Sequence, residues 1–222
     1  MTRRVLILGA GGHGQVVADI LCSAVRQRKD LLPIGFLDDD STLWGQTFLG
    51  LPVLGGFTQI DAVEHDAVIG AIGDNLTRAR VYAWAKERGE CLVNAIHPTA
   101  FLASEVTLGS GVVIAPGVIV NTGARVGDNV ILNTASSVDH HCNVGDHAHI
   151  APGAHLGGSV QVGEGVLVGI GAIVIPSCAI GSWAIVGSGS VVISDLPGQV
   201  TAVGNPARVI KTFSSPCAGI DC

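Results

Sequence analysis

The chain has 222 residues, a formal net charge of −6 and 48% hydrophobic residues, a length that fits one large domain or two small ones. The acidic balance gives no electrostatic reason to expect nucleic-acid binding, and no apolar run reaches the roughly 18 residues that a membrane span needs. Six scattered cysteines without a C-x-x-C pair, and an N-terminus that reads as a strand rather than a signal peptide, predict reduced thiols in a cytoplasmic protein.

The first hundred residues alternate predicted strands with predicted helices. The expected strands are residues 5–8, 32–37, 67–72 and 91–95, and the expected helices are residues 15–27 and 77–88. Such alternation is typical of a parallel sheet flanked by helices. A complete dinucleotide-binding fold needs two such halves, and only about 95 residues come before the next pattern. We therefore predict a half-Rossmann-like α/β domain over residues 1–95 that binds one nucleotide.

A glycine-rich loop follows the first predicted strand. Gly9, Gly11 and Gly14 have the G-x-G-x-x-G spacing that brings backbone N–H groups and a helix N-terminus against phosphate. Two interpretations stay open, because the loop either binds a nucleotide diphosphate or only closes a tight turn. His13 in the loop either hydrogen-bonds such a ligand or caps the helix. Asp38, at the end of the second strand, has the spacing of a residue that contacts a ribose or a base.

A period of six residues dominates the chain beyond residue 100. Every sixth position from Leu102 to Val192 is Leu, Ile or Val, without an insertion. The next position is often Gly, Asn or Asp, residue types that tolerate tight corners. Three such hexapeptides make one coil of a triangular parallel β-helix, which we predict over residues 96–211. Cys142 and Cys178 occupy a second, small inward column, so we expect them to fill space rather than to act as nucleophiles.

Five of the eight histidines lie close together in the β-helix. They are His140, His141, His147, His149 and His155. Because Val138 points inward and Asp139 takes the corner, His140 and His141 are expected on an exposed outer corner. An exposed imidazole can accept a proton from an attacking amine or hydroxyl near neutral pH. The alternatives are a metal site, as in zinc hydratases that share this fold, and a merely solvated polar face.

Five segments carry a resemblance to a known family: ILGAGGHG, GFLDDD, VNAIHP, ILNTASSVDHHC and VGNPAR. From residue 4 to about 211, the chain resembles the bacterial sugar-nucleotide acetyltransferases of the bacillosamine and perosamine pathways, grouped with the sialic-acid O-acetyltransferase-like family. The resemblance implies a left-handed β-helix, although parallel crossovers are generally right-handed. It also implies a homotrimer with active sites between subunits, acetyl-CoA as co-substrate and no metal. The tail, residues 212–222, is expected to be disordered.

The resemblance also implies roles for individual residues. His140 corresponds to the base, and His149 to a contact of the acetyl carbonyl. The family usually has Glu or Asp directly after the base, where this chain has His141, so Asp139 becomes a candidate for orienting His140. The implied sugar and nucleotide contacts, with the loop glycines, are Gly11, Gly12, His13, Gly14, Asp38, Asp39 and Asn133. The implied CoA-lining residues are His149, Gly158, Ile170, Gly204, Asn205 and Pro206.

The resemblance implies N-acetylation of a nucleotide-linked 4-amino-4,6-dideoxy sugar, and the perosamine N-acetyltransferases look most similar. We expect direct transfer from acetyl-CoA without an acyl-enzyme, with backbone N–H groups near Gly158 stabilising the oxyanion. O-acetylation of a sugar or of sialic acid, which uses the same base and fold, is the alternative. A metal-dependent hydratase is the third hypothesis.

Overall fold

The structure is a computed structural model that describes residues 2–28 and 30–213. The chain divides into two compact units, Met1–Pro98 and Thr99–Cys222. Among the described residues, no helix combines the length and the apolar character needed to cross a membrane.

The first unit is an α/β sheet with two long helices. Its strands are β1 (Arg3–Leu8), β2 (Leu31–Leu37), β3 (Thr47–Phe48), β4 (Leu51–Gly55), β5 (Ala67–Gly70) and β6 (Ala95–Ile96), and its helices are α1 (Gly12–Arg28) and α2 (Asn75–Glu87). The sheet order is β3-β4-β2-β1-β5, parallel except for the β3–β4 pair. The apolar run of β1 is fully buried from Val5 to Leu8, as expected for a strand inside a parallel sheet.

Three details of the first unit differ from the sequence prediction. Helix α1 begins at Gly12 rather than at residue 15, so His13 and Gly14 lie in its first turn. The predicted strand at residues 91–95 is only a single bridge from Leu92 to Val68, followed by β6. Strands β3 and β4 were not predicted, because Gly45, Gly50 and Gly55 divide that segment into pieces too short for a clear strand pattern.

The second unit is a parallel β-helix built from two-residue strands. They are β7 (Phe101–Leu102), β8 (Thr107–Leu108), β9 (Val113–Ile114), β10 (Ile119–Val120), β11 (Arg125–Val126), β12 (Ile131–Leu132), β13 (Ser137–Val138), β14 (Asn143–Val144), β15 (His149–Ile150), β16 (His155–Leu156), β17 (Gln161–Val162), β18 (Leu167–Val168), β19 (Ile173–Val174), β20 (Ala179–Ile180), β21 (Ile185–Val186) and β22 (Val191–Val192). Two longer strands, β23 (Val200–Val203) and β24 (Arg208–Thr212), pair antiparallel at the end.

The short strands stack in three faces. Face A contains β7, β10, β13, β16, β19 and β22; face B contains β8, β11, β14, β17 and β20; face C contains β9, β12, β15, β18, β21 and β23. Four-residue corners join them. The corners after face A, including residues 121–124, 139–142 and 157–160, form edge AB. The corners after face C, including residues 133–136, 169–172 and 204–207, form edge CA.

The core of the β-helix follows the six-residue period. Every repeat position from Ile114 to Val192 is at most 4% exposed, and equivalent residues pair one coil apart, as Val120 does with Val138. Cys142 and Cys178 are buried in the inward column, and burial raises the pKa of both thiols.

The end of the chain is ordered slightly further than predicted. Strand β24 includes Thr212, and the Phe213 N–H donates to the Gln199 carbonyl at 2.7 Å. The remainder of the expected disordered tail, residues 214–222, lies outside the described residues.

Candidate active site

His140 lies exposed on edge AB, and its ring packs over Gly158 on the next coil. Residues eighteen apart occupy equivalent positions on successive coils, as the pairing of Val138 with Leu156 shows. A Cβ atom built on Gly158 would lie 2.5 Å from both Cε1 and Nε2 of His140. The imidazole therefore occupies the space that any side chain at residue 158 would need. Glycine at this position therefore makes room for the ring.

The backbone N–H of Gly158 is uncapped. At two equivalent corner positions the side chain of the preceding residue accepts this bond: Asp139 Oδ1 accepts from the His140 N–H at 2.7 Å, and Asn133 Oδ1 accepts from the Thr134 N–H at 2.8 Å. Gly157 has no side chain to do so. Within residues 2–28 and 30–213, the Gly158 N–H has no hydrogen-bond acceptor. A hydrogen-bond donor thus lies beside the His140 imidazole.

Asp139 is bound to the backbone and to a neighbouring amide rather than to the His140 ring. Its Oδ1 accepts from the His140 N–H and, at 2.8 Å, from Asn121 Nδ2. These two hydrogen bonds lower the pKa of Asp139, with a smaller contribution from the charge of His140. The carboxylate therefore shapes the corner that carries His140.

The ring of His141 contacts that of His140. The two Nδ1 atoms are 3.1 Å apart, and the rings are nearly perpendicular, at 77°. His141 has a left-handed backbone, with φ +57°, and its ring folds back over Gly123 on the preceding coil. A Cβ atom on Gly123 would lie 2.8 Å from His141 Cδ2. The imidazole of His140 thus lies between Gly158 and His141.

His149 belongs to face C and reaches towards edge CA. Asn133 Oδ1 accepts the Thr134 N–H, which identifies the other amide atom as the nitrogen. Asn133 Nδ2 therefore donates to His149 Nε2, at 3.1 Å. Since Nε2 accepts, a neutral His149 carries its proton on Nδ1. Asn133, predicted to lie near the sugar, is found as the partner of His149.

The other predicted CoA-lining residues also follow edge CA. Ile170 is 60% exposed at a corner of this edge. The turn Gly204–Pro206 follows β23, and Ser190 Oγ accepts the Gly204 N–H at 3.0 Å. Of the predicted CoA contacts, only Gly158 lies on edge AB with His140. The predicted residues therefore form two groups, on two edges of the β-helix.

The remaining clustered histidines have partners on adjacent coils. His147 Nδ1 lies 2.8 Å from Asn129 Nδ2, and His155 Nδ1 lies 2.8 Å from Ser137 Oγ. In the described part of the chain, no three His, Cys, Asp or Glu side chains converge where they could hold a metal ion.

The glycines of the N-terminal loop divide into two kinds. Gly9 has φ +115°, and a Cβ atom there would lie 2.8 Å from the Ala71 carbonyl oxygen. A Cβ atom on Gly14 would overlap the Gly9 carbonyl. Gly9 and Gly14 are therefore required by the turn itself. Gly11 and Gly12 are exposed, with open space around the position of a Cβ atom, so the turn gives no steric reason for these two glycines.

The acidic residues after β2 hold the loops together. Asp38 Oδ2 accepts from the Ala10 N–H at 2.7 Å, and its Oδ1 accepts from the Asp40 N–H at 2.9 Å. Asp39 Oδ1 accepts from the Phe57 N–H at 2.8 Å. Asp38 thus fixes the glycine loop against the end of β2. Its predicted contact with a nucleotide remains a prediction.

Arg78 is a residue of this region that sequence reasoning missed. It is 1% exposed, and it donates to the Ile72 carbonyl at 3.1 Å and to Asn75 Oδ1 at 2.9 Å. Burial lowers the pKa of Arg78 to about 10, so it stays charged at neutral pH. Burial and then this charge lower the pKa of His13 to about 4. His13, in the first turn of α1, is therefore neutral at physiological pH.

Comparison with known proteins places this geometry in a family. Residues 4–85 match the PglD N-terminal domain. The acetyltransferase domain of PglB from Neisseria gonorrhoeae FA1090, solved with acetyl coenzyme A, is 34% identical, covers 95% of this chain and 100% of that one, and superposes with a TM-score of 0.86. PerB from Caulobacter crescentus, solved with CoA and GDP-perosamine, is 38% identical over 93% of this chain and 97% of that one, with a TM-score of 0.85. This chain belongs to the hexapeptide-repeat sugar acetyltransferases.

As a sugar acetyltransferase of this family, the chain is an acyltransferase with the left-handed β-helix that the resemblance implied. WeeI from Acinetobacter baumannii AYE has the same architecture, at 28% identity and a TM-score of 0.84. Curated relatives match over short stretches only. They include the probable polysaccharide biosynthesis protein EpsC of Bacillus subtilis, 42% identical over 8% of its length, and a putative acetyltransferase of Staphylococcus aureus (strain COL), 40% identical over 21% of its length.

Proposed function

We propose that this acetyltransferase transfers the acetyl group of acetyl-CoA to the 4-amino group of a nucleotide-linked 4-amino-4,6-dideoxy sugar, with a GDP-perosamine-like acceptor preferred. The observation that carries the proposal is the exposed His140 imidazole beside the uncapped Gly158 N–H. The similar PerB structure contains CoA and GDP-perosamine, and the similar PglB domain contains acetyl coenzyme A. These ligands support an acetyl-CoA donor and a nucleotide-linked amino sugar as acceptor.

The proposed chemistry is direct transfer. The amine nitrogen attacks the thioester carbonyl carbon while His140 Nε2 accepts its proton. The Gly158 N–H donates to the oxygen on which negative charge develops. The C–S bond then breaks, and the leaving thiolate takes the proton from His140. An amide and CoA thiol are the products, without an acyl-enzyme. The buried thiols of Cys142 and Cys178, whose pKa values are raised, have no role in this scheme.

His149 supplies a second donor in this proposal. His149, whose Nε2 accepts from Asn133 Nδ2, is proposed to contact the acetyl carbonyl through its Nδ1–H. Ile170 and the Gly204–Pro206 turn follow the same edge CA and are proposed to line the pantetheine and nucleotide of CoA. Because His140 lies on edge AB, we propose that one site combines edge AB of one subunit with edge CA of its neighbour.

A trimer that covers face A is the proposed assembly. Face A presents Phe101, Ile119 and Ile173, which are 58%, 45% and 44% exposed, whereas face B presents polar residues such as Arg125 and Gln161. Exposed apolar side chains at both ends of face A, with Ser137 and His155 between them, favour burial against a second copy. Face A lies between edges AB and CA, so covering it would bring the two edges of neighbouring copies together.

The first unit is proposed to bind the nucleotide of the acceptor. Gly11 and Gly12 leave open space at the start of α1, where a helix N-terminus attracts phosphate. Neutral His13 is proposed to hydrogen-bond the ligand. Asp38 and Asp39, already bound to backbone N–H groups, can offer further carboxylate lone pairs to the ribose or base.

A thiol-release assay with acetyl-CoA tests the activity. The acceptors are GDP-, UDP- and dTDP-linked 4-amino-4,6-dideoxy sugars, and thiol release with at least one of them, highest with GDP, is expected. Hydroxylamine separates the alternatives, because it cleaves an O-acetyl ester and leaves an N-acetyl amide intact. An ester product would establish O-acetylation instead. No release with any amino sugar, together with CO₂ hydration that a chelator abolishes, would establish the hydratase.

Complementation between subunits tests the shared site. His140→Ala and His149→Ala are each expected to be nearly inactive. When the two variants are co-expressed and assemble at random, about one quarter of the sites receive both intact histidines if they come from neighbouring copies. No recovery in the mixed protein would contradict the proposed arrangement.

A further inference from the structure

His141 occupies the position where the resembled family usually has a carboxylate, and its contacts give it a specific role. Its Nδ1 lies 3.1 Å from His140 Nδ1. In a hydrogen bond between two neutral imidazoles, one nitrogen carries the proton and the other offers its lone pair. The pair therefore has two arrangements, and they leave His140 Nε2 in opposite states.

Only one arrangement gives a base. If His140 Nδ1–H donates to His141, then His140 Nε2 has a free lone pair. If His141 Nδ1–H donates instead, His140 Nε2 carries a proton and cannot accept another. Nδ1 of His140 faces His141, and Nε2 is the ring nitrogen nearer to the Cβ position of Gly158, at 2.5 Å against 3.2 Å for Nδ1. Because Nε2 is the nitrogen left to meet the substrate, the first arrangement is the productive one.

We propose that His141 is a positioning residue that accepts a hydrogen bond from His140 Nδ1–H and so holds His140 in the tautomer with an unprotonated Nε2. This inference rests on the proposed function, in which His140 is the base. When His140 takes up the substrate proton, its Nδ1–H becomes a charge-assisted donor to His141. A neutral acceptor thereby does what a carboxylate does in relatives that have Glu or Asp at this position.

Among the groups around His140, His141 is the one placed to accept a hydrogen bond from His140 Nδ1–H. Asp139 is the charged group at this corner, and its Oδ1 accepts from the His140 backbone and from Asn121. The corners packed on either side, residues 121–124 and 157–160, contain no titratable side chain. Cys142, next along the chain, is buried with its Sγ directed at the Gly157 carbonyl. The ring of His141 is itself fixed by its packing over Gly123.

A neutral acceptor has a consequence for the pH profile. A carboxylate beside an imidazole favours the protonated, inactive form of a base. His141→Glu is therefore expected to retain kcat at pH 8 within about 3-fold and to shift the acid limb of the kcat profile upward by about one pH unit. The native enzyme should then exceed the Glu variant at pH 6.

His141→Phe separates acceptance from packing. Phenylalanine fills the space over Gly123 without a lone pair, and we expect kcat to fall about 10- to 100-fold with little change in KM. His147→Phe is the matched control, because His147 holds the same left-handed corner position, at φ +61°, away from His140, and should keep the native kcat. If His141→Phe does not fold, His141→Gly, which suits φ +57°, removes both the acceptor and the packing, and the tautomer of His140 in that variant is then the readout.

Long-range ¹H–¹⁵N spectra of ¹⁵N-histidine protein read the tautomer without any turnover. The His140 signal, assigned by its loss in His140→Gln, should show Nδ1–H in the native enzyme at pH 8 and shift towards Nε2–H in His141→Phe. An Nε2–H tautomer in the native enzyme, or native kcat in His141→Phe, would overturn the inference. Native kcat in His140→Gln would instead contradict the proposed base, while the spectra still decide the tautomer.

Discussion

Gly158→Ala tests the site with the addition of one methyl group. Gly158 has no positive φ, so alanine adds no backbone strain there, but its Cβ would lie 2.5 Å from His140 Nε2. To restore the 3.4 Å of ordinary contact, the ring must retreat by about 0.9 Å. A misplacement of about 1 Å at a reacting group costs roughly 100-fold in rate, or about 2.7 kcal/mol of transition-state stabilisation. We expect kcat to fall by about that factor, with KM nearly unchanged.

The thiol-release assay measures the fall in kcat of Gly158→Ala. A double-mutant cycle with His140→Ala then tests whether the fall is caused by displacement of the His140 ring. If the methyl group acts through the imidazole, then adding Gly158→Ala to His140→Ala should change kcat by less than 2-fold or so. Circular dichroism and a thermal melt establish that the variant is folded. A native kcat in Gly158→Ala alone would refute the inference that the His140 ring must pack against Gly158 for activity. An undiminished 100-fold loss in the His140→Ala background would show that the methyl group disturbs something else.

Three further predictions concern the first unit. Gly11→Ala should weaken nucleotide-sugar binding in calorimetry while changing stability by less than about 0.5 kcal/mol, whereas Gly14→Ala, which overlaps the Gly9 carbonyl, should destabilise the unit by about 3 kcal/mol. Arg78→Leu should cost about 1–3 kcal/mol in urea unfolding, because it leaves the Ile72 carbonyl without its buried donor. The pKa of His13 falls from 6.5 unfolded to about 4 folded, so the unfolded chain binds more protons between these values and stability is lost as pH falls from 6.5 to 4. His13→Gln should reduce this loss, measured as urea midpoints at pH 7 and pH 5.

The β-helix could be predicted from sequence because its signal is repetitive. One hexapeptide says little, but an aliphatic residue at every sixth position from Leu102 to Val192 can be buried together only if the chain turns a corner after each strand. The exposed corner position of His140 followed from the same frame. Coil length held a further signal that the prediction did not use: Gly158 follows His140 by eighteen residues, and Gly123 precedes His141 by eighteen.

The partners of polar residues could not be predicted in this way. Asp38 and Asp139 each have several acceptor sites, and the choice of backbone N–H groups depends on loop geometry that has no period. Arg78 lies on a short amphipathic helix, where an arginine is usually solvated, and nothing local signals its burial. The early start of α1, which places His13 in the first turn, depends on how the glycine loop packs against Ala71.

The chemistry proposed for edge AB depends on two glycines, Gly157 and Gly158, which have no side chain. At some other corners of the β-helix a carboxylate or an amide accepts from this N–H group, as Asp139 does from His140 and Asp128 from Ser110. The absence of a side chain at Gly157 leaves the next N–H uncapped, and its absence at Gly158 makes room for the His140 ring. The first absence supplies the proposed oxyanion donor and the second seats the proposed base. Because successive coils are in register, the two consequences fall at one place, and a repeat that elsewhere only builds a core can there support catalysis.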